Sequence, residues 1–230
     1  MLRLQDVHAG YGRTTVVHGV DLEVGAGEVV AVLGHNGAGK TTLLRAAVGL
    51  LPLRTGQVLL DGQDVSRTRP HQRVRRGLAY VPQGQQAFGQ LTARENLRLV
   101  ADVAGREGAR RTAEALDLFP ALREVLGRRA GLLSGGQRQQ LAIARALVTG
   151  PRVMVLDEPT EGIQPSVVAE IEDAVVQLAA GGLGVLLVEQ HVGFALAACV
   201  RFVVLESGRV GASGAGGAEQ EGRVRAAMAL

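Results

Sequence analysis

Residues 34–41 read GHNGAGKT, three glycines within eight positions, set between an apolar run of strand length and a helix-forming segment. Gly34, Gly37 and Gly39 let the backbone turn sharply there, so a strand hands over to a helix within one loop. The flanking pattern is consistent with that unit. Short apolar or alternating runs stand at 2–7, 16–24 and 28–33, and the loop opens a helix predicted over 41–49, stopped by Gly49 and Pro52. Further strands are predicted at 57–60 and 78–81, the second ended by Pro82. From about 92 to 150 the periodicity turns helical, with segments at 92–104, 109–118 and 136–147. A strand at 152–156, a helix from about Ser166, a strand at 184–188, another helix and a strand at 202–205 then alternate. Apolar strands separated by helices imply a buried, largely parallel sheet. The expected organisation is an α/β core over 1–85 and 150–212, interrupted by a helical subdomain over 86–149, with a C-terminal tail over 213–230. Residues 211–217, GASGAGG, read as a linker, and a short helix is expected after Ala218.

Composition narrows the setting. No apolar run approaches the roughly 18–20 residues needed to cross a bilayer, and no basic stretch followed by an apolar segment and a cleavage site opens the chain. The single cysteine, Cys199, cannot form an internal disulfide, which fits a reducing cytosol. Net charge is +3, and among 25 cationic residues the only lysine is Lys40. A chain that uses arginine everywhere else keeps a compact ammonium at one place, inside the glycine loop. Charge this modest and this dispersed does not argue for nucleic acid, and no nucleic-acid partner is expected.

GHNGAGKT matches G-x-x-x-x-G-K-[ST]. Its glycines let backbone N–H groups wrap phosphate oxygens, and the following helix turns its positive end on the same charge. Lys40 can reach the β- and γ-phosphates, and the Thr41 hydroxyl can ligate Mg²⁺. The stretch Gly34, His35, Asn36, Gly37, Ala38, Gly39, Lys40, Thr41 and Thr42 is therefore the expected nucleotide-binding loop. This motif alone does not separate a transporter ATPase from a kinase, a GTPase or a helicase.

Two more motifs bear on that choice. Residues 153–158 read VMVLDE, an apolar strand ending in paired carboxylates at the edge where ligands of α/β sheets sit. Asp157 is placed to hold Mg²⁺, and Glu158 to polarise an attacking water. Residues 133–137 read LSGGQ, just before a helix. Ser134, Gly135 and Gly136 offer a hydroxyl and close N–H donors at a second helix N-terminus, much further along the chain than one phosphate cradle needs. Two chains packed head to tail, each LSGGQ closing the partner's GHNGAGKT, explain both surfaces.

With these three motifs in this order, residues 1–212 resemble an ABC-transporter nucleotide-binding domain. The resemblance implies a P-loop NTPase core with a largely parallel sheet, an N-terminal antiparallel β portion and an inserted helical subdomain. It implies ATP and Mg²⁺ as ligands, hydrolysis coupled to transport, and a peripheral position on the cytoplasmic face of the plasma membrane. Tyr11, in GYG, matches the aromatic that stacks on adenine. Gln83, in YVPQG, matches the glutamine that touches Mg²⁺ or water and senses the membrane subunit. Ser134, Gly136 and Gln137 match the trans phosphate contacts, and Glu158 the catalytic base. Implied partners are transmembrane permease subunits, a second related ATPase subunit in a homo- or heterodimer, and indirectly an extracytoplasmic solute-binding protein.

The chain departs from that pattern twice. Many relatives carry a γ-phosphate-contacting His after the last core strand. Aligned without gaps through VEQHVGFA, that station falls on Gln190, taken as a catalytic residue with Lys40 and Glu158; a one-residue shift brings in His191 instead. After Glu158 many relatives continue with a serine–alanine–leucine–aspartate turn, where this chain reads EPTEGIQP. With YVPQGQQAF and LLVEQ, that wording resembles the second ATPase of importers for branched-chain amino acids and for urea or short amides. The alternatives are an exporter subunit, a non-transport ABC ATPase and a nucleotide-binding regulator without turnover. The basic run Arg67, Arg69, His71, Arg73, Arg75 and Arg76 has no interleaved aromatics for base stacking and reads as a solvated helix face. Arg110–Arg111 and Arg128–Arg129 read the same way, and Cys199 as a small core residue.

Overall fold

The computed structural model of the chain describes residues 1–228. The first strands are β1 (Leu2–Tyr11), β2 (Thr14–Val24) and β3 (Val29–Leu33), followed by α1 (Lys40–Ala47), β4 (Leu53–Leu60), β5 (Gln63–Asp64), α2 (Pro70–Arg75) and β6 (Leu78–Val81). A helical lobe follows, made of α3 (Ala93–Ala104), α4 (Gly108–Leu118), α5 (Ala121–Glu124) and α6 (Gly135–Val148). The chain then returns through β7 (Val153–Asp157), α7 (Pro165–Ala180), β8 (Gly184–Val188), α8 (Val192–Ala198), β9 (Arg201–Glu206), β10 (Arg209–Ala215) and α9 (Glu221–Met228).

Two sheets result. An antiparallel sheet runs β2-β1-β4-β5, and a six-stranded sheet runs β10-β9-β3-β8-β7-β6, parallel except for β10. The period of two divides the core. Val30 and Val32 of β3 face a cluster shared with Leu43 and Leu44 of α1 and the antiparallel sheet. Val29, Ala31 and Leu33 face the other side, with Leu141 of α6, Ile171 of α7 and Leu196 of α8. Strands covered on both faces have no polar side to show, and every residue of β3, β7 and β8 is buried accordingly.

Register positions the site. Val32 pairs with Val188, Val188 with Asp157, and Leu156 with Val81, so β3, β8, β7 and β6 end side by side. Their continuations, the glycine loop, Glu189–Gln190, Glu158 and Gln83, therefore emerge along one C-terminal edge.

Two expectations are corrected. Residues 211–217 are not a linker through most of their length: β10 reaches Ala215 and pairs antiparallel with β9, Ser213 opposite Val203 and Gly214 opposite Phe202. Glycine and alanine weaken a strand through their side chains but leave the backbone donors and acceptors intact, which is all an edge position demands. The expected boundary at 212 falls inside this strand, and the last two residues of the expected tail, 229 and 230, lie outside the described residues.

The second correction concerns the basic run. Arg67, Arg69, His71, Arg75 and Arg76 are exposed, but Arg73 is only 1% exposed. Its guanidinium donates to the Ala46 and Ala47 carbonyls at 3.0 and 2.6 Å, to the Ser66 carbonyl at 3.1 Å and to the Thr68 hydroxyl at 3.3 Å. It thereby adds donors to carbonyls in the last turn of α1, where Ala46 also accepts the Gly49 N–H at 3.2 Å. Burial pushes its pKa down to about 10. Arg73→Met keeps the apolar stem and removes the donors, so chemical denaturation should show a loss of roughly 3 kcal/mol; an unchanged midpoint would contradict the capping role.

Candidate functional site

The glycine loop leaves β3 through Gly34 and enters α1 at Gly39, whose φ of +103° suits glycine. A side chain at Gly34 would also meet the Leu205 carbonyl oxygen at 2.4 Å. No side chain caps α1, so its first N–H groups face the loop. His35, Asn36 and Gly37 are exposed, whereas Ala38 and Thr42 are buried and Lys40 is only 5% exposed. The Lys40 ammonium donates to the carbonyls of Gly34 at 2.7 Å and His35 at 3.0 Å, and lies 3.4 Å from Glu158 Oε1. A buried cation is thus held inside the loop by two carbonyls and a carboxylate.

Glu158 is the meeting point of the site. Its backbone N–H donates to the Val188 carbonyl, and its φ of +49° lies in the left-handed region, which costs a non-glycine residue about 1–2 kcal/mol. That turn aims its carboxylate back over the sheet edge. Oε1 accepts from Gln190 Nε2 at 2.9 Å, and Oε2 from Gln83 Nε2 at 3.0 Å. Gln190 Nε2 also donates to Asn36 Oδ1 at 3.0 Å, so it faces the loop. His191 turns elsewhere, its Nδ1 lying 3.5 Å from the Thr160 hydroxyl.

Asp157 is buried beside it. Burial raises its pKa; the Tyr80 hydroxyl, which donates to Oδ2 at 3.2 Å, lowers it, and the Glu158 charge raises it again. Its Oδ1 is buried and accepts no hydrogen bond. An orphaned carboxylate oxygen next to Thr41 is a donor set that suits a small hard cation.

Ser134–Gln137 stand apart. Ser134 caps α6 in a capping box, its hydroxyl accepting from the Gln137 N–H at 3.2 Å while Gln137 Oε1 accepts from the Ser134 N–H at 3.1 Å. That uses the acceptor side of the hydroxyl and leaves its O–H to donate. Among the described residues, no hydrogen bond from 134–137 reaches the glycine loop. Gly136 has a reason within the chain: a Cβ there would meet Val167 of α7 at 2.7 Å. Tyr11, 45% exposed at the β1–β2 turn, accepts a hydrogen bond from Arg45 of α1 at 3.3 Å.

The family profile described as ABC transporter matches residues 17–161, a span that holds the glycine loop, LSGGQ and the Asp157–Glu158 pair. The chain belongs to the ABC transporter family. It is an ATP-binding subunit and an ATPase. A probable branched-chain amino acid transport ATP-binding protein of Archaeoglobus fulgidus is 41% identical over 93% of this chain and 92% of its own length. A lipopolysaccharide export system ATP-binding protein of Acidithiobacillus ferridurans is 38% identical over 91% and 88%. Among solved structures, the ATP binding subunit of an ABC transporter superposes with a TM-score of 0.85 at 30% identity, covering 100% of this chain and 95% of that one. A dimeric post-hydrolysis ATP-binding cassette bound to ADP and phosphate gives 0.83 at 26% identity, covering 94% and 98%.

Two residues of this ATPase escaped the sequence reading. Glu161 accepts from Gln83 Nε2 at 2.7 Å. The buried Glu189 accepts from the Thr160 N–H and hydroxyl at 3.2 and 2.8 Å and from the Gln190 N–H at 3.0 Å, and burial raises its pKa. Nothing in their spacing separates either from an ordinary surface glutamate; only the fold brings them in. For Asp157 the sign is plain. A carboxyl raised by burial opposes folding as pH climbs above its ordinary 3.8. Asp157→Asn should therefore melt at a higher temperature than the parent at pH 7 in nucleotide- and metal-free buffer. The gap should shrink as the pH falls toward 3.8 and close below it, and a lower midpoint at pH 7 would contradict this.

Proposed function

We propose that this chain is the motor subunit of an ABC importer, pairing with a second ATPase subunit beneath separate transmembrane permeases and powering uptake of branched-chain amino acids or of urea and short amides. The observation that carries the catalytic part is the buried Lys40 ammonium shared by the loop carbonyls and Glu158. A triphosphate entering the loop competes for that ammonium, and the N–H groups of α1 take the phosphate charge. Glu158 is then released from Lys40 and accepts a proton from water as the water oxygen bonds the γ-phosphorus and the bond to ADP breaks. Gln83 and Gln190 hold the two carboxylate oxygens in place. Thr41, Asp157 and Gln83 would hold Mg²⁺, which offsets phosphate charge when bound. Tyr11 is exposed where an adenine ring can stack on it.

Ser134, Gly135, Gly136 and Gln137, which among the described residues make no hydrogen bond to the loop of their own chain, serve the nucleotide of the partner subunit. Loss of the bridging γ-phosphate opens the dimer. A groove of about 350 Å³ between β6 and helices α3 and α6, with Phe88 52% exposed and stacked by Arg145 at 4.6 Å, adjoins Gln83 and suits a permease segment. No described helix is long and apolar enough to cross a membrane. The importer reading rests on the resemblance of EGIQP and its companions and on the amino-acid-transport relative at 41% identity. The lipopolysaccharide-export relative at 38% supports the exporter as second reading.

Labelled leucine and labelled urea uptake, with and without Lys40→Ala, separates these. Loss of one uptake assigns the solute class, and no change in either moves the exporter forward. In the purified ATPase, Glu158→Gln should lower hydrolysis at least about a hundredfold and accumulate an ATP-bound dimer on size exclusion; a normal rate would remove the general-base role.

A further inference from the structure

We propose that Glu161 is a positioning residue for hydrolysis, fixing the Gln83 side-chain amide so that its nitrogen faces the Glu158 carboxylate. The inference rests on the reading of Glu158 as general base. Gln83 Nε2 has two hydrogens, and both are engaged, at 3.0 Å from Glu158 Oε2 and 2.7 Å from Glu161 Oε2. Ionised carboxylates only accept, so the flipped amide would set its own oxygen against two negative groups. Glu158 alone would hold one hydrogen and leave the amide free to swing. The second carboxylate sets its orientation and leaves Oε1 on the far side, where a donor or a cation can reach it.

The fold builds this pairing deliberately into one turn. The Glu161 N–H donates to the Glu158 carbonyl at 3.2 Å, Glu158 takes its left-handed φ, and Gly162 follows with a φ of +67°. Between them Thr160 is anchored by the buried Glu189, so the turn cannot slide. On its outer side the Glu161 carbonyl accepts from Gln85 Nε2 at 3.4 Å, and Gln85 Oε1 accepts from Arg138 at 3.2 Å. Arg138 in turn donates to the Leu133 carbonyl at 2.5 Å, beside the capped start of α6. Glu161 thus sits where the loop after β6, the turn after β7 and the LSGGQ helix meet. It makes no hydrogen bond or ion pair with residues 34–42, so removing it should alter turnover and not nucleotide capture.

A double-mutant cycle in steady-state ATPase kinetics tests this, with Glu161→Ala, Gln83→Ala, the double variant, Glu161→Gln and Glu158→Gln. Glu161→Ala should lower kcat about tenfold and leave KM for ATP within about twofold. Glu161→Gln, which keeps an acceptor oxygen, should recover most of that rate. Glu161→Ala should add nothing in the Gln83→Ala background, since it acts through that side chain. A wild-type kcat in Glu161→Ala, or losses that multiply in the double variant, would overturn the proposal. Wild-type turnover by Glu158→Gln would instead overturn the general-base reading on which it stands.

Discussion

The Lys40 ammonium is the charge around which the site is organised. Fully desolvating a lone cation is prohibitive, so every element that buries Lys40 must also supply an acceptor. The glycine loop supplies two carbonyls, possible only because its backbone folds tightly over the side chain, and β7 supplies Glu158. The carboxylate is in turn bound on both oxygens by Gln83 and Gln190, carried on the ends of β6 and β8. One buried charge therefore ties together the ends of four parallel strands.

That arrangement is stable without being relaxed. Glu158 holds a left-handed backbone, and burial raises the pKa of both Asp157 and Glu189, so each resists ionising where it stands. The scaffold that tolerates this strain is the doubly covered sheet, with β3, β7 and β8 buried throughout and α1 tied down at its far end by Arg73. Local conflict at the sheet edge, carried by a consistent core, is the usual relation between an active site and its fold.

What could be read in the chain beforehand follows from range. The glycine loop, the apolar strand ending in Asp157–Glu158 and the helix that starts at LSGGQ are local patterns, each set by neighbours within a few positions, and the sequence carries them. Contacts across the fold were not. Arg73 reads as one arginine in a basic run until α1 packs beside it. Glu161 and Glu189 acquire partners only when strand register aligns β6, β7 and β8. In the stretch 211–217 the side chains carry little strand signal, while the backbone bonds to β9 decide the outcome. The ungapped alignment favours Gln190 over His191 at the γ-phosphate station; in the fold Gln190 contacts Asn36 and Glu158, and His191 lies beside Thr160.

The central claim is that nucleotide and Glu158 compete for one ammonium. Isothermal titration of a non-hydrolysable ATP analogue into the parent and into Glu158→Gln tests it most directly. Removing the carboxylate charge leaves Lys40 free for phosphate, so the variant should bind at least about tenfold more tightly. Equal or weaker binding by Glu158→Gln would contradict the account.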